Sequence, residues 1–220
     1  MGRTQRWENK DLKDLRLYLM RHGESTANLE NVFASHRIDV PLSDNGTQQV
    51  EEAAKWLKSF PISVAYASPL LRAKQTAEIV CTGLSLTPIF SDLLVEVDVG
   101  GLEGKSQATP ENGTAFDRIM KLWERGLRQE GFDGGETLLQ VETRLSELLD
   151  KVEEHGSGHV LLVGHCLLFM AFIWLFCENH GPTLESGHMG RARLSILRRT
   201  NKMYRLEKFD LAPPTQNKRQ

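Results

Sequence analysis

Two regimes of hydrophobic spacing alternate along the chain. Positions 17–20, 62–67 and 160–163 are almost continuously apolar. Runs of this length bounded by turn residues read as strands buried on both faces. Between and after them the period is helical. Val50, Ala53, Ala54 and Leu57 form one stripe, and Ala73, Thr76, Ala77 and Val80 a second. Phe116, Ile119, Met120, Trp123 and Leu127 form a third. Leu138, Val141, Leu145, Leu148, Leu149 and Val152 form a fourth, longer one. Punctuation agrees with this parsing. Ser43 suits a helix N-cap, and Gly134-Gly135-Glu136-Thr137 opens the long helix. Ser68-Pro69 predicts a cap followed by proline at the first helical position, and Gly83 a stop. Shorter strand-like pieces lie near 88–90, 194–197 and 203–209.

Strands alternating with helices predict an α/β fold, a three-layer α/β/α sandwich with a mainly parallel sheet. The expected organisation is a polar N-terminal arm over 1–14, a single domain over 15–212 and a flexible tail over 213–220. Residues 105–135 are expected to be an insertion covering the sheet edge.

Composition removes several classes of function. A formal charge of −2 gives no basic field for nucleic acid. The longest apolar run, 166–177, is well below the ~20 residues that span a bilayer. It reads as a buried helix, so no membrane partner is expected. Met1-Gly2 is followed by Arg6 rather than Ser or Thr at the myristoylation position. Cys81, Cys166 and Cys177 lack CxxC spacing and sit in or beside apolar stretches. They read as reduced core residues of a cytoplasmic protein. Oligomeric state has no signature in the pattern.

The candidate chemistry sits where the buried strands end. Arg21-His22-Gly23 follows the first, Ser68 to Arg72 the second, and Gly164-His165 the third. In open parallel sheets such ends converge on a ligand cleft. Two histidines, two arginines and helix N-termini in one cleft suit a phosphate. A polar turn after one strand would be unremarkable; the recurrence at three strand ends is what points to function.

These residues resemble the histidine phosphatase superfamily, the branch that includes phosphoglycerate mutase and related small phosphatases. The resemblance runs from about Leu17 to about Leu197 through six ordered blocks. They are Arg21-His22-Gly23-Glu24-Ser25 with Asn28, then Asp39-x-Pro41-Leu42-Ser43-x-x-Gly46, then Ser68-Pro69-Leu70-x-Arg72-Ala73-x-Gln75-Thr76-Ala77. Glu96-x-x-x-Gly100-x-x-Glu103-Gly104, Gly135-Glu136-Thr137 and Val163-Gly164-His165 complete the set. The resemblance implies a phosphoglycerate mutase-like fold and a small phosphorylated substrate. It implies His22 as nucleophile, Arg21, Arg72 and His165 on the phosphate oxygens, Asn28 nearby and Glu96 as proton donor. Asp98 lies on the same side as Glu96 in an extended segment, so alternation does not choose between them; the family spacing selects Glu96. Cys166 stands where the family often has Gly, Leu102 where it often has Trp, and Arg193 is placed to reach either substrate or solvent.

Other chemistries fit less well. Cys-x₅-Arg fails at all three cysteines, where Thr87, Phe172 and Thr183 occupy the arginine position. No G-x-S-x-G elbow occurs. Gly104-Lys105-Ser106 imitates the end of a P-loop, but Val99 occupies its first glycine. His155, His159 and His165 lack zinc-ligand spacing. For a phosphoglycerate mutase-type transfer, the resemblance implies a longer segment between acid and second histidine, with extra basic residues enclosing the substrate. Here Glu96 to His165 is short, and helical spacing leaves several of Lys105, Arg118, Lys121, Arg125 and Arg128 on a solvated face. A non-catalytic interaction module would have no need of the complete site. The reading is a phosphatase with no metal and no cofactor. Phosphomonoesterase activity should therefore survive a chelator, and a loss that zinc or magnesium restores would overturn the metal-free assignment.

Overall fold

The computed structural model describes residues 14–154, 158–201 and 203–214. Among them, six strands form one sheet in the order β3-β2-β4-β1-β5-β6. The strands are β1 (Arg16–Arg21), β2 (Val64–Ala67), β3 (Ile89–Phe90), β4 (His159–Gly164), β5 (Leu194–Arg199) and β6 (Tyr204–Leu211). β3, β2, β4 and β1 run parallel, and β5 and β6 are antiparallel additions beside β1. The helices are α1 (Thr26–Leu29), α2 (Asp44–Leu57), α3 (Leu71–Leu84), α4 (Pro110–Glu124), α5 (Leu138–Glu153) and α6 (Cys166–Phe176).

The continuous apolar runs arise because the strands bury both faces. Leu17 and Leu19 of β1 join Val160 and Leu162 of β4 in a core with α5 and α6. Tyr18 and Met20 join Leu161 and Val163 in a second core with α2 and α3. Successive side chains alternate between the two, as a pleated strand requires. This is the mainly parallel three-layer sandwich that the pattern predicts. α6 is apolar on every side and nearly every residue of it is buried, which accounts for its lack of polar periodicity.

Several boundaries differ from the sequence reading. Ser68 does not cap a helix that begins at Pro69. α3 begins at Leu71 with Leu70 as its N-cap, and the Ser68 hydroxyl accepts from Leu70 N while bonding His165. Gly83 does not stop α3, which runs to Leu84 and ends on Ser85 in the left-handed region. α4 starts earlier than its hydrophobic stripe suggests, with Pro110 at its first turn, and Leu127 lies beyond it and exposed. Ser43 does cap α2, accepting from Gly46 N, and Thr137 caps α5.

The 105–135 segment packs toward the mouth of the sheet. Val32 bridges Ser106, and Phe33 stacks on Phe116 with centroids 5.5 Å apart. Beyond these contacts to the loop after β1, Ile119, Met120, Trp123 and Phe132 join the core with α5 and α6. Most of the N-terminal arm, most of the tail and His155 of the zinc alternative lie outside the described residues. Of the other zinc candidates, His159 bonds the Tyr18 hydroxyl at the start of β4. His165 follows the far end of that strand, roughly 20 Å away at ~3.3 Å per residue, so the two cannot share an ion.

Candidate active site

Three adjacent parallel strands, β2, β4 and β1, end within one residue of a common level. Ala67 pairs with Val163, and Arg21 with Gly164. The next residues, Ser68, His165 and His22, therefore emerge side by side. The His22 and His165 rings stand 5.2 Å apart, edge to face. His165 Nε2 is 2.8 Å from Ser68 Oγ.

His22 is nearly fully buried. Its Nδ1 lies 2.6 Å from Gly23 O, a carbonyl that can only accept, so Nδ1 carries the proton and Nε2 keeps its lone pair. Burial, then the charges of Arg72 and Arg21, push His22 well below the ordinary imidazole range. The ring is neutral at pH 7. Close approach of backbone fixes this turn: a Cβ on Gly23 would lie 2.6 Å from Gly46 O, and one on Gly46 would lie 1.9 Å from Glu24 O. Glu24 accepts from Ser43, Asn45 and Arg191, tying the loop to the start of α2.

Two guanidinium groups flank His22, both almost without solvent contact. Arg21 Nη1 donates to Met189 O at 2.7 Å and lies 2.9 Å from His188 Nε2, while its Nε has no partner in the protein. Arg72 donates to the carbonyls of Ile38, Ala34 and Ser35. Burial lowers Arg72 from the usual guanidinium range, opposed by Glu96 and Asp39. The loop that clamps it is folded around Glu103, whose carboxylate accepts from the backbone N–H groups of Ser35, Arg37 and Ile38 and from Arg37 Nε. His165 is likewise pushed well below the ordinary imidazole range, by burial and then by Arg72 and His22. Its Nδ1 is buried without a partner. A buried unpaired nitrogen on each of Arg21 and His165, beside the free edge of His22, is what an anion site needs.

Glu96 reaches the same place from a different segment. Its carboxylate accepts from Leu167 N at 3.2 Å and Leu168 N at 2.8 Å, at the N-terminus of α6, and from its own neighbour Val97 N. The segment is held from behind: Glu136 accepts from Asp98 N, and Arg144 pairs with Glu136 while donating to Leu93 O and Val95 O. Asp98 turns away to accept from Gly100 N, and Glu103 is committed to the Arg72 loop. Of these three acids, only Glu96 lines the cavity.

That cavity measures about 350 Å³ and is walled by Arg21, His22, Ser25, Asn28, Arg72 and Glu96 together with parts of α4, α6 and residues 184–188. His165, fully buried with its ring 5.2 Å from that of His22, is not on its wall. The sequence reading missed Ser68, Ser25 and His188; the first two lie inside the quoted blocks, whereas His188 has no sequence signal. Cys166 is half-buried on the cavity wall, with Sγ 3.6 Å from His188 Nδ1, and so is not the core residue expected. Arg193 does not reach the cavity: it pairs with Asp210 at 2.8 Å.

Residues 17–211 match the family described as histidine phosphatase superfamily (branch 1). The chain belongs to this superfamily. It is 31% identical over 198 residues to the uncharacterized phosphatase PhoE of Bacillus subtilis, covering 88% of this chain and 93% of that one. It is 35% identical over 151 residues to fructose-2,6-bisphosphatase TIGAR B of Danio rerio, covering 64% of this chain but only 56% of that longer protein. Among solved structures, phosphoglycerate mutase from Bacillus anthracis superposes with a TM-score of 0.74 at 21% identity, over 91% of this chain and 94% of that one. A mycobacterial glucosyl-3-phosphoglycerate phosphatase superposes with a TM-score of 0.73 at 23% identity, over 90% and 99%. These superpositions establish the shared fold.

The Glu103 hub makes a pH-dependent prediction. Burial alone would raise its carboxyl, but the N–H groups of Ile38, Arg37 and Ser35 and the Arg37 guanidinium outweigh this and hold it below the ordinary range. A depressed carboxyl stabilises the fold above its unfolded pKa, about 4.3, and loses that contribution as pH falls through the folded value. Glu103→Gln should cost about 1–3 kcal/mol at pH 7, the scale of hydrogen bonds to a charged group. The gap in Tm from wild type should close as the pH is taken below the ordinary Glu range; a gap independent of pH would mean that charge is not what holds the loop.

Proposed function

We propose that this chain hydrolyses a small phosphomonoester through a phosphohistidine on His22, with Glu96 as proton donor. The observation that carries the reading is the fixed tautomer of His22. Its Nδ1–H is spent on Gly23 O, so a neutral ring offers the Nε2 lone pair between two buried arginines. A neutral imidazole attacks phosphorus without first losing a proton. Arg21 and Arg72 neutralise the charge spread over the equatorial oxygens, and the Nδ1 of His165 adds a contact from behind. The Ser68 hydroxyl already accepts from Leu70 N, so it can donate to His165 Nε2, which leaves the His165 proton on Nδ1.

In the first step Nε2 bonds to phosphorus as the ester P–O bond breaks, and Glu96 gives its proton to the departing oxygen. In the second, water attacks phosphorus, Glu96 takes the water proton, and the P–N bond breaks to return neutral His22 and free phosphate. Asn28 and Ser25 complete the wall on the α1 side.

Hydrolysis is favoured over a mutase cycle by where the basic residues of 105–128 go. Lys121 pairs with Glu185 and Arg128 with Glu142, while Lys105 and Arg118 line a separate surface hollow. None of them walls the cavity, so this segment offers no cation to hold the carboxylate of a released phosphoglycerate for the phosphoryl group to return to. The intact set of His22, Arg21, Arg72 and Glu96 argues against a non-catalytic module. Three cysteines without disulfide partners fit a cytoplasmic enzyme.

Brief incubation with a ³²P-labelled phosphomonoester followed by alkaline quench should leave acid-labile label on the protein, and His22→Ala should abolish it. Label that persists in that variant would move the nucleophile elsewhere. Glu96→Gln should slow phosphoenzyme formation from an alkyl phosphate by roughly 10²–10⁴-fold, and from nitrophenyl phosphate far less, because nitrophenolate departs without a proton. Equal losses in rapid-quench measurements on both substrates would make Glu96 a structural residue only.

A further inference from the structure

The phosphate-binding groups occupy one end of the cavity; the remainder of its wall has a different character. Phe33, Phe116, Leu167, Met170 and Leu184 all contribute to it. Phe33 and Phe116 lie nearly parallel, 28° apart, and bring an aromatic surface from two separate segments to one wall. Outside the phosphate end and Glu96, the ionised side chains on the wall are Asp117 and Glu185, both anionic. Lys121, one turn on from Asp117 on the same helix, is drawn onto Glu185 at 2.9 Å and lies off the wall, as does Arg118. That leaves two carboxylates against one ammonium. His188 adds no charge at neutral pH, because burial and then Arg21 hold its imidazole below the ordinary range. The neighbouring arginines are likewise committed: Arg191 to Glu24, Arg37 to Glu103 and Arg193 to Asp210.

We infer that this chamber selects phosphomonoesters of apolar or aromatic alcohols, neutral or cationic, and rejects those carrying a second phosphate or a carboxylate. The inference rests on the phosphatase reading and names the substrate class of that site. A second anion entering the chamber would be stripped of water against Phe33 and Phe116, would meet no cationic side chain on the wall beyond Arg21 and Arg72, which hold the reacting phosphate, and would approach Asp117 and Glu185. An apolar leaving group exchanges water for the aromatic pair and the α6 side chains, and an ammonium gains the carboxylates and the ring faces.

A series with one leaving group tests this: 3-phenylpropyl phosphate and its 4-carboxy and 4-aminomethyl ring derivatives, with glycerol 3-phosphate as a small neutral comparison. Their alcohols depart equally well, so differences in kcat/KM report the chamber. The parent and aminomethyl compounds should exceed the carboxy compound by about tenfold or more at neutral pH. Asp117→Lys should raise the carboxy compound and narrow that ratio. Phe116→Ala should lower 3-phenylpropyl phosphate more than glycerol 3-phosphate. Equal or better turnover of the carboxy compound, or a ratio unmoved by Asp117→Lys, would overturn the inference. Calorimetric binding of 4-phenylbutylphosphonate and its carboxy derivative gives the ranking without bond cleavage. If no phosphate ester is hydrolysed while the phosphonates keep the expected order, the phosphatase reading fails and the chamber stands; reversed order among the phosphonates removes the chamber even if hydrolysis is rapid.

Discussion

Neighbouring strands of a sheet stand about 4.8 Å apart, and this spacing is the constraint on which the site depends. β2, β4 and β1 are adjacent and parallel; β4 and β1 stop at the same level and β2 one residue earlier, so Ser68, His165 and His22 leave the sheet as three neighbouring teeth. The 5.2 Å between the two histidine rings follows from the strand pairing and not from either loop. Anything that moved the register of β4 by one residue would turn His165 to the other face and leave Ser68 without its partner.

Burying positive charge around those teeth is costly, and the structure meets that cost with carbonyls rather than with carboxylates. Arg72 is wrapped by the backbone oxygens of 34, 35 and 38, and Arg21 by Met189 O. Among the described residues neither guanidinium has a carboxylate at salt-bridge distance, so both remain available to an anion. The acids are one layer out. Glu103 folds the loop that supplies the carbonyls, Glu24 secures the turn after β1, and Glu136 with Arg144 braces the segment carrying Glu96. The two arginines of the cavity wall are thereby kept separate from the ion pairs that hold the loops.

The cavity has one end built by the sheet and another built by segments that cross over it. α4 and the 184–188 loop meet at the rim, where Glu185 takes Lys121 through its side chain and Glu124 through its N–H. The sheet end gathers the histidines and arginines; the crossing segments give the rest of the wall its aromatic and acidic surface.

The sequence by itself determined the layers and which candidate residues follow the strand ends. Strands buried on both faces leave uninterrupted apolar runs, and helices with one buried face leave a period of 3.6, so both are written locally. The residues just beyond those runs, Arg21, His22, Arg72 and His165, are placed by that same local pattern, which is why they were legible together. Tertiary structure decided the rest. Ser68 reads locally as a helix cap, yet its hydroxyl bonds a histidine 97 positions away. His188 sits in an irregular loop and meets Arg21 across 167 positions. Glu96 and Asp98 are equivalent by alternation and are separated only because the N-terminus of α6 captures one carboxylate and the turn at Gly100 the other. Contacts of this kind have no period along the chain; they exist only once the sheet has brought distant loops to one edge.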